Sequence, residues 1–362
     1  MILSGYKVLD ENFHFVPLTL TYEDKIIGME PEETQEFKGY IIPGLVDVHT
    51  HGVVGQDAMI IENYEEYIYY MYSKGITTFY PTSVTATDAD MEEMVLFFKD
   101  KKEIKGLNIE GPYLNAKMRG AHVESLVREG DIGFLYRLQE LSGNKIKLIT
   151  VAPEIGQNLE FIAKASEMGI KVSLGHTACD YETAVTAFNA GADHVTHLFN
   201  AMNPLHHRKS GLIGAAFDKP FYVEIIGDGI HVVPEVVRMA YKLLGSDRMI
   251  LISDCMAATG LEDGEYMLGD MHVTVEDSIA RTDDGALAGS TSTVYDMVRS
   301  VSKMGIPLEE AVRMATETPA KSVNETDIGI LKPGMRADFV ILDKDFEVVQ
   351  TVKDGQIVYS AY

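Results

Sequence analysis

Residues 43–52 read PGLVDVHTHG, and the fold turns on what that run contains. Leu45, Val46 and Val48 form a short apolar, β-favouring stretch that breaks off in His49, Thr50, His51 and Gly52. Side chains along a strand alternate with a period of two, so His49 and His51 point to the same side.

The same design recurs downstream. Short β-rich runs are expected at 45–49, 76–80, 107–110, 146–152, 171–175, 194–197, 222–227 and 249–253. Amphipathic stretches such as 63–74, 89–102, 159–168, 181–190 and 235–244 separate them. That alternation predicts a parallel sheet, and eight β/α units suit a closed (β/α)₈ barrel. The expected α/β architecture assigns 44–328 to the barrel. Residues 1–43 and 329–362, which read as short strands and turns, would form a small β-sandwich domain from both chain termini, with a hairpin at 348–359 turned by Asp354-Gly355. A further hairpin is expected over 265–287, then helices over 293–304 and 307–316, the last with Pro307 in its first turn.

Polar residues gather where those strands end: Asp47 to Gly52, Glu110, His176, His197, Asp228 to His231, and Asp254. In a barrel these ends converge on one mouth. A lone strand-end histidine is usually an ordinary hydrogen-bonded residue; coincidence at six ends is what argues for a site. Imidazole and carboxylate suit zinc, iron, cobalt or manganese, with three protein ligands leaving a position for water. Glu110, His176 and His197 are the expected triad, while His49 and His51 bind a second metal or orient the first. Metal-assisted hydrolysis also needs a group that takes a proton from water and returns it to a leaving group, and one carboxylate, Asp254, can do both. Its plain alternative is an N-cap or a salt-bridged loop residue. His14 and His272 read as surface residues, and His194 as structural.

With 362 residues, 46% of them hydrophobic, the chain can bury a large core. Its net charge of −24 argues against a nucleic-acid surface. No long uncharged apolar run or signal-like start appears, so a cytoplasmic protein without membrane contact is expected. Cys179 and Cys255, the two cysteines, form no CxxC pair and suggest a reducing compartment. Against this acidic background the basic knot His206, His207, Arg208 and Lys209 stands out. A charge run is most often a solvated loop; here it follows a ligand-bearing strand, and arginine's planar fork suits phosphate oxygens.

The opening PGLVDVHTHG and the closing ADFVILD at 337–343 resemble the signatures of the amidohydrolase superfamily. A narrower resemblance, to N-acetylglucosamine-6-phosphate deacetylases, spans the chain in order. It runs through GITTFYPTS (75–83), IEGPYLNAKMRGAH (109–122), APE (152–154), LGHTA (174–178), THLFNAMNPLHHRKSGLIGAA (196–216), IGDGIHV (226–232), ISDCMAATG (252–260) and DGALAGSTST (284–293).

That resemblance implies hydrolysis of an acetamido group, giving glucosamine 6-phosphate and acetate. It makes Glu110, His176 and His197 metal ligands, Glu110 standing where other superfamily members carry a carboxylated lysine. Asp254 becomes the base and acid, and His122 a group that polarises the substrate carbonyl. The Asn200 and Ala201 amides, with Arg208 and His231, would hold the sugar phosphate; Leu287, Ala288 and Gly289 would line the sugar. A homodimer is implied, with Arg208 reaching a neighbouring subunit's pocket. Asn108 stands where family members often have histidine, a difference expected to affect packing more than chemistry. The retained His49 and His51 leave the metal count at one or two. Other amidohydrolase substrates, or a barrel that has lost catalysis, are the competing readings.

Overall fold

The computed structural model describes residues 1–33 and 36–361. Eight parallel strands, Leu45–Thr50, Ile76–Ser83, Leu107–Glu110, Ile146–Val151, Lys171–Leu174, Ala192–Val195, Tyr222–Ile226 and Met249–Ile252, pair in sequence order. The eighth returns to the first where Cys255 bridges Thr50 and the Asp254 amide donates to the His49 carbonyl at 2.9 Å. All eight match expected runs, with one shift. The sixth strand spans Ala192–Val195, not 194–197: beyond it the Thr196 hydroxyl turns inward to bond Ser173 on the fifth strand and Thr150 on the fourth. Beyond it His197 turns left-handed, with φ 29°.

The strands are apolar and buried because helices cover them outside and side-chain layers fill them inside. Ile225, Leu251, Val172 and Ile149 are fully buried members of one continuous core. Asparagine, threonine and aspartate side chains cap several of the covering helices, such as Asn63 before Tyr64–Ser73 and Asp180 before Tyr181–Asn189. Helices at Ile132–Leu141 and Gly211–Asp218 join those expected.

Strands from both ends of the chain share a second, eight-stranded sheet, in which Gly39–Pro43 runs antiparallel to Phe339–Leu342. This sheet folds over its own core of Val8, Leu20, Tyr22, Ile41, Phe339 and Val352, as a sandwich does. It docks on the barrel floor: the Lys353 ammonium donates to the Thr77 carbonyl, and the Thr351 hydroxyl to that of Tyr72. Gly44, between sheet and barrel, has no room for a side chain, since a Cβ there would lie 2.1 Å from the Thr77 hydroxyl.

After the eighth strand the expected hairpin is a three-stranded meander, Gly264–Leu268, Met271–Glu276 and Ile279–Thr282. Its second turn, Asp277-Ser278, lacks the usual glycine, yet both residues adopt positive φ because the Asp263 carboxylate accepts from both their amides at 2.6 and 3.1 Å. The meander projects Leu268 toward the barrel mouth, where it lines the central pocket.

Candidate metal and hydrolytic site

The strand ends deliver Glu110, His49, His51, His176, His197 and Asp254 to one buried cluster. His176, His197 and Asp254 follow their strands by two residues each, and all three have positive φ, between 29° and 48°. For side chains other than glycine that conformation costs about 1–3 kcal/mol and persists only where surrounding packing enforces it. Here it turns each side chain back over the barrel. The Asp254 loop is held by the His49 carbonyl on one side and by the Ser290 amide, which donates to the Asp254 carbonyl, on the other.

Two groups of donor atoms result. Glu110 Oε1 lies 3.1 Å from both His176 Nε2 and His197 Nε2, which are 3.0 Å from each other. In the second group His49 Nε2 and His51 Nε2 are 3.2 Å apart, and Asp254 Oδ1 sits 3.4 and 3.2 Å from them. Glu110 joins the two, since its Oε2 is 3.5 Å from His49 Nε2 and 3.2 Å from His51 Nε2.

Ring tautomers test whether a cation fits. His176 Nδ1 donates to the Met118 carbonyl, His51 Nδ1 to that of Thr82, and His49 Nδ1 to the Glu224 carboxylate. A neutral imidazole has one N–H, so each of these rings keeps a bare Nε2 lone pair directed at the centre. The His49 and His51 lone pairs, on nitrogens 3.2 Å apart, repel unless positive charge lies between them. Electrostatics agree. Burial alone would depress His51, but hydrogen bonds and charge from Asp254 and Glu110 outweigh it and push the ring up to about 9. Burial would likewise raise Asp254, yet His49 and His51 pull it down to about 2. The carboxylates thus demand positive charge, and a divalent ion meets that demand by displacing protons.

His122 is wired the opposite way. Its Nδ1 accepts from the Thr85 amide at 3.1 Å, leaving the proton on Nε2, 3.5 Å from Glu110 Oε2. Burial drives this ring down to about 4, so it is neutral near pH 7 and offers an N–H to the pocket.

The pocket holds about 290 Å³, and His122, Asp254, His231, Leu287 and Gly289 line it. No lysine or arginine is among its lining residues. His231 is oriented by Asp228, at 2.7 Å from its Nδ1. Asn200 and Ala201 also line the pocket, while the Asn200 amide donates to the His197 carbonyl at 3.0 Å. Ala288 is fully buried and stands behind the wall, its amide bound to Ala280. Arg208 does not reach this pocket within the chain: it is exposed, against His207, and lines a neighbouring cleft with His206 and Lys209. His14 and His272 are exposed, and His194 is buried beside Asp193. Asn108 is buried and donates to the Val48 carbonyl.

Residues 40–358 match the amidohydrolase family. The chain belongs to that family. It is 36% identical to the N-acetylglucosamine-6-phosphate deacetylase of Vibrio furnissii, over 89% of this chain and 83% of that protein. It is 33% identical to an N-acetylgalactosamine-6-phosphate deacetylase of Escherichia coli O157:H7, over 98% of each. Among solved structures, a point mutant of the Mycobacterium smegmatis N-acetyl-D-glucosamine-6-phosphate deacetylase, in complex with N-acetyl-D-glucosamine-6-phosphate, superposes with a TM-score of 0.94 at 31% identity over 99% of both chains. No helix among the described residues is long and apolar enough to cross a membrane.

Two features of the site escaped the sequence reading. Glu224 carries a signal, being a charged residue inside the apolar run YVEII, but nothing local says what it faces. Leu268 and Val84 line the pocket without any signal that separates them from ordinary core residues.

Proposed function

We propose that this amidohydrolase removes the acetyl group of N-acetylglucosamine 6-phosphate, yielding glucosamine 6-phosphate and acetate. The observation that carries the reading is the joint placement of an ionised Asp254, a neutral His122 N–H and two cation-seeking groups around one pocket.

Glu110, His176 and His197 would hold one divalent ion, and His49, His51 and Asp254 a second, bridged by Glu110. Zinc is the first choice, with iron, cobalt and manganese compatible with the same donors. When bound, such an ion supplies Lewis acidity that lowers the pKa of water toward neutrality and polarises an acyl oxygen. Asp254 accepts the proton of the attacking water at its carboxylate and later delivers it to the sugar nitrogen, so the amine leaves neutral. His122 donates from Nε2 to the acyl oxygen as charge builds there. His231 and the Asn200–Ala201 loop face the sugar, and Leu287 and Gly289 form its wall. Arg208 would act from the second subunit of a homodimer, which agrees with its distance from the pocket of its own chain. The substrate is then a small amino-sugar phosphate handled in the cytoplasm.

A second reading, action on the C4 epimer, is favoured by the Escherichia coli relative that matches 98% of this chain. Acetate release from N-acetylglucosamine 6-phosphate, N-acetylgalactosamine 6-phosphate, unphosphorylated N-acetylglucosamine and an N-acetyl amino acid decides between them. Each is assayed before chelation, after it, and after metal is returned. Preference for the first substrate, lost on chelation and restored by metal, supports the proposal; equal or better turnover of an unphosphorylated substrate overturns it.

A further inference from the structure

The hydrolytic scheme gives the buried carboxylate of Glu224 no work. Glu224 lies on the seventh strand, fully inaccessible to solvent, with its Oε2 3.1 Å from His49 Nδ1 and 3.4 Å from the His197 amide. Its Oε1 has no partner among the described residues. A carboxylate buried this deeply persists only where positive charge or donors compensate it.

The acceptors that orient the other rings are main-chain carbonyls, Thr82 for His51 and Met118 for His176, and they come with the fold. His49 alone among these three depends on a side chain. A charged acceptor behind an imidazole fixes the tautomer and strengthens the opposite nitrogen as a ligand. Through one oxygen Glu224 touches a member of each cation group, His49 in one and the backbone of His197 in the other.

We propose that Glu224 is a positioning residue that holds His49 as the Nδ1–H tautomer, with Nε2 aimed at His51 and Asp254, and thereby decides whether this chain retains a second divalent cation. The inference rests on reading the pocket as a metal-dependent hydrolytic site. Its consequence is selective: Glu224 meets a ring only at His49, its contact to His197 being a 3.4 Å one to the main-chain amide, and His176 keeps its own carbonyl acceptor, so loss of Glu224 weakens the His49 site and spares the other.

The test is a Co²⁺ titration of metal-free full-length protein, followed by visible absorption and by metal content after gel filtration. The parent chain takes up two equivalents. Glu224→Leu keeps the first unchanged and loses about 10- to 100-fold in affinity for the second, the usual effect of removing a partner behind a ligand. Glu224→Gln, whose side-chain oxygen still accepts from Nδ1–H, restores most of that loss. If the leucine variant does not fold, Glu224→Asp replaces it, since the shorter carboxylate falls back from the ring and weakens the second equivalent in the same way. Two unperturbed equivalents in the leucine or aspartate variant, or a single equivalent in the parent, overturn the proposal. Failure of the deacetylase reading is seen separately, as a parent chain with both equivalents bound that releases no acetate.

Discussion

Asp254→Asn removes proton transfer at a position that would also help hold the second cation, so its effect is read on protein that keeps the ion of the Glu110, His176 and His197 group. Asparagine has the size of aspartate and tolerates the left-handed backbone, φ 48°, that position 254 requires. It keeps a side-chain oxygen where Oδ1 now lies, 3.2 Å from His51 Nε2, but it can neither accept the water's proton nor return one. In the parent chain the carboxylate is ionised at neutral pH, held near 2 against a burial effect that would raise it, by the charges and hydrogen bonds of His49 and His51. A positioned proton-transfer group is worth about 10²–10⁴-fold. Asp254 serves two transfers in separate steps, and only the slower limits turnover, so the expected fall in kcat is about 10³-fold, or roughly 4 kcal/mol at 1.36 kcal/mol per decade. The assay pairs steady-state acetate release with metal content and thermal midpoint on the same preparation. A folded variant that retains the ion bound by Glu110, His176 and His197 and still turns over within about tenfold of the parent would refute the role given to Asp254.

Three further outcomes are expected. His122→Ala should lower kcat by about 10²–10³-fold, the usual loss for one donor to a developing oxyanion, with metal content unchanged; a rise in KM alone would place His122 in binding instead. Chelation should lower the thermal midpoint as well as abolish turnover, because an ion bound only by the folded state stabilises it by mass action; an identical midpoint in scanning calorimetry would mean that no tightly held ion is present. Arg208→Ala should raise KM for the sugar phosphate, and mixing that variant with Asp254→Asn should restore activity, since a mixed dimer assembles one site from the intact Asp254 of one subunit and the intact Arg208 of the other. No recovery on mixing would place Arg208 outside the partner's site.

The (β/α)₈ layout was legible in residue order because each strand announces itself locally, as an apolar run with a polar end, and parallel pairing in sequence order needs no long-range information. That the strand-end donors cluster was legible for the same reason, since residues at the ends of successive barrel strands meet wherever the barrel closes; Arg208 and Ala288, expected with them, are not in the pocket lining. Local patterns failed where a turn depended on a distant side chain. The meander at 264–282 exists because Asp263 satisfies the amides of Asp277 and Ser278 some fourteen residues away, and no dipeptide signal encodes that.

The order of residues thus determined which elements form and which side chains reach the barrel mouth, since both follow from periodicity and strand ends. Only the packed structure decided what each side chain can do there. His122 and His176 are alike in sequence, yet one offers an N–H and the other a lone pair, because the Thr85 amide faces the first and the Met118 carbonyl the second. Glu224 is an isolated charge in an apolar run until the barrel brings it to His49 across 175 residues. Protonation and tautomer depend on which groups lie within about 3 Å, a scale set by hydrogen-bond geometry and fixed only once the chain has closed on itself.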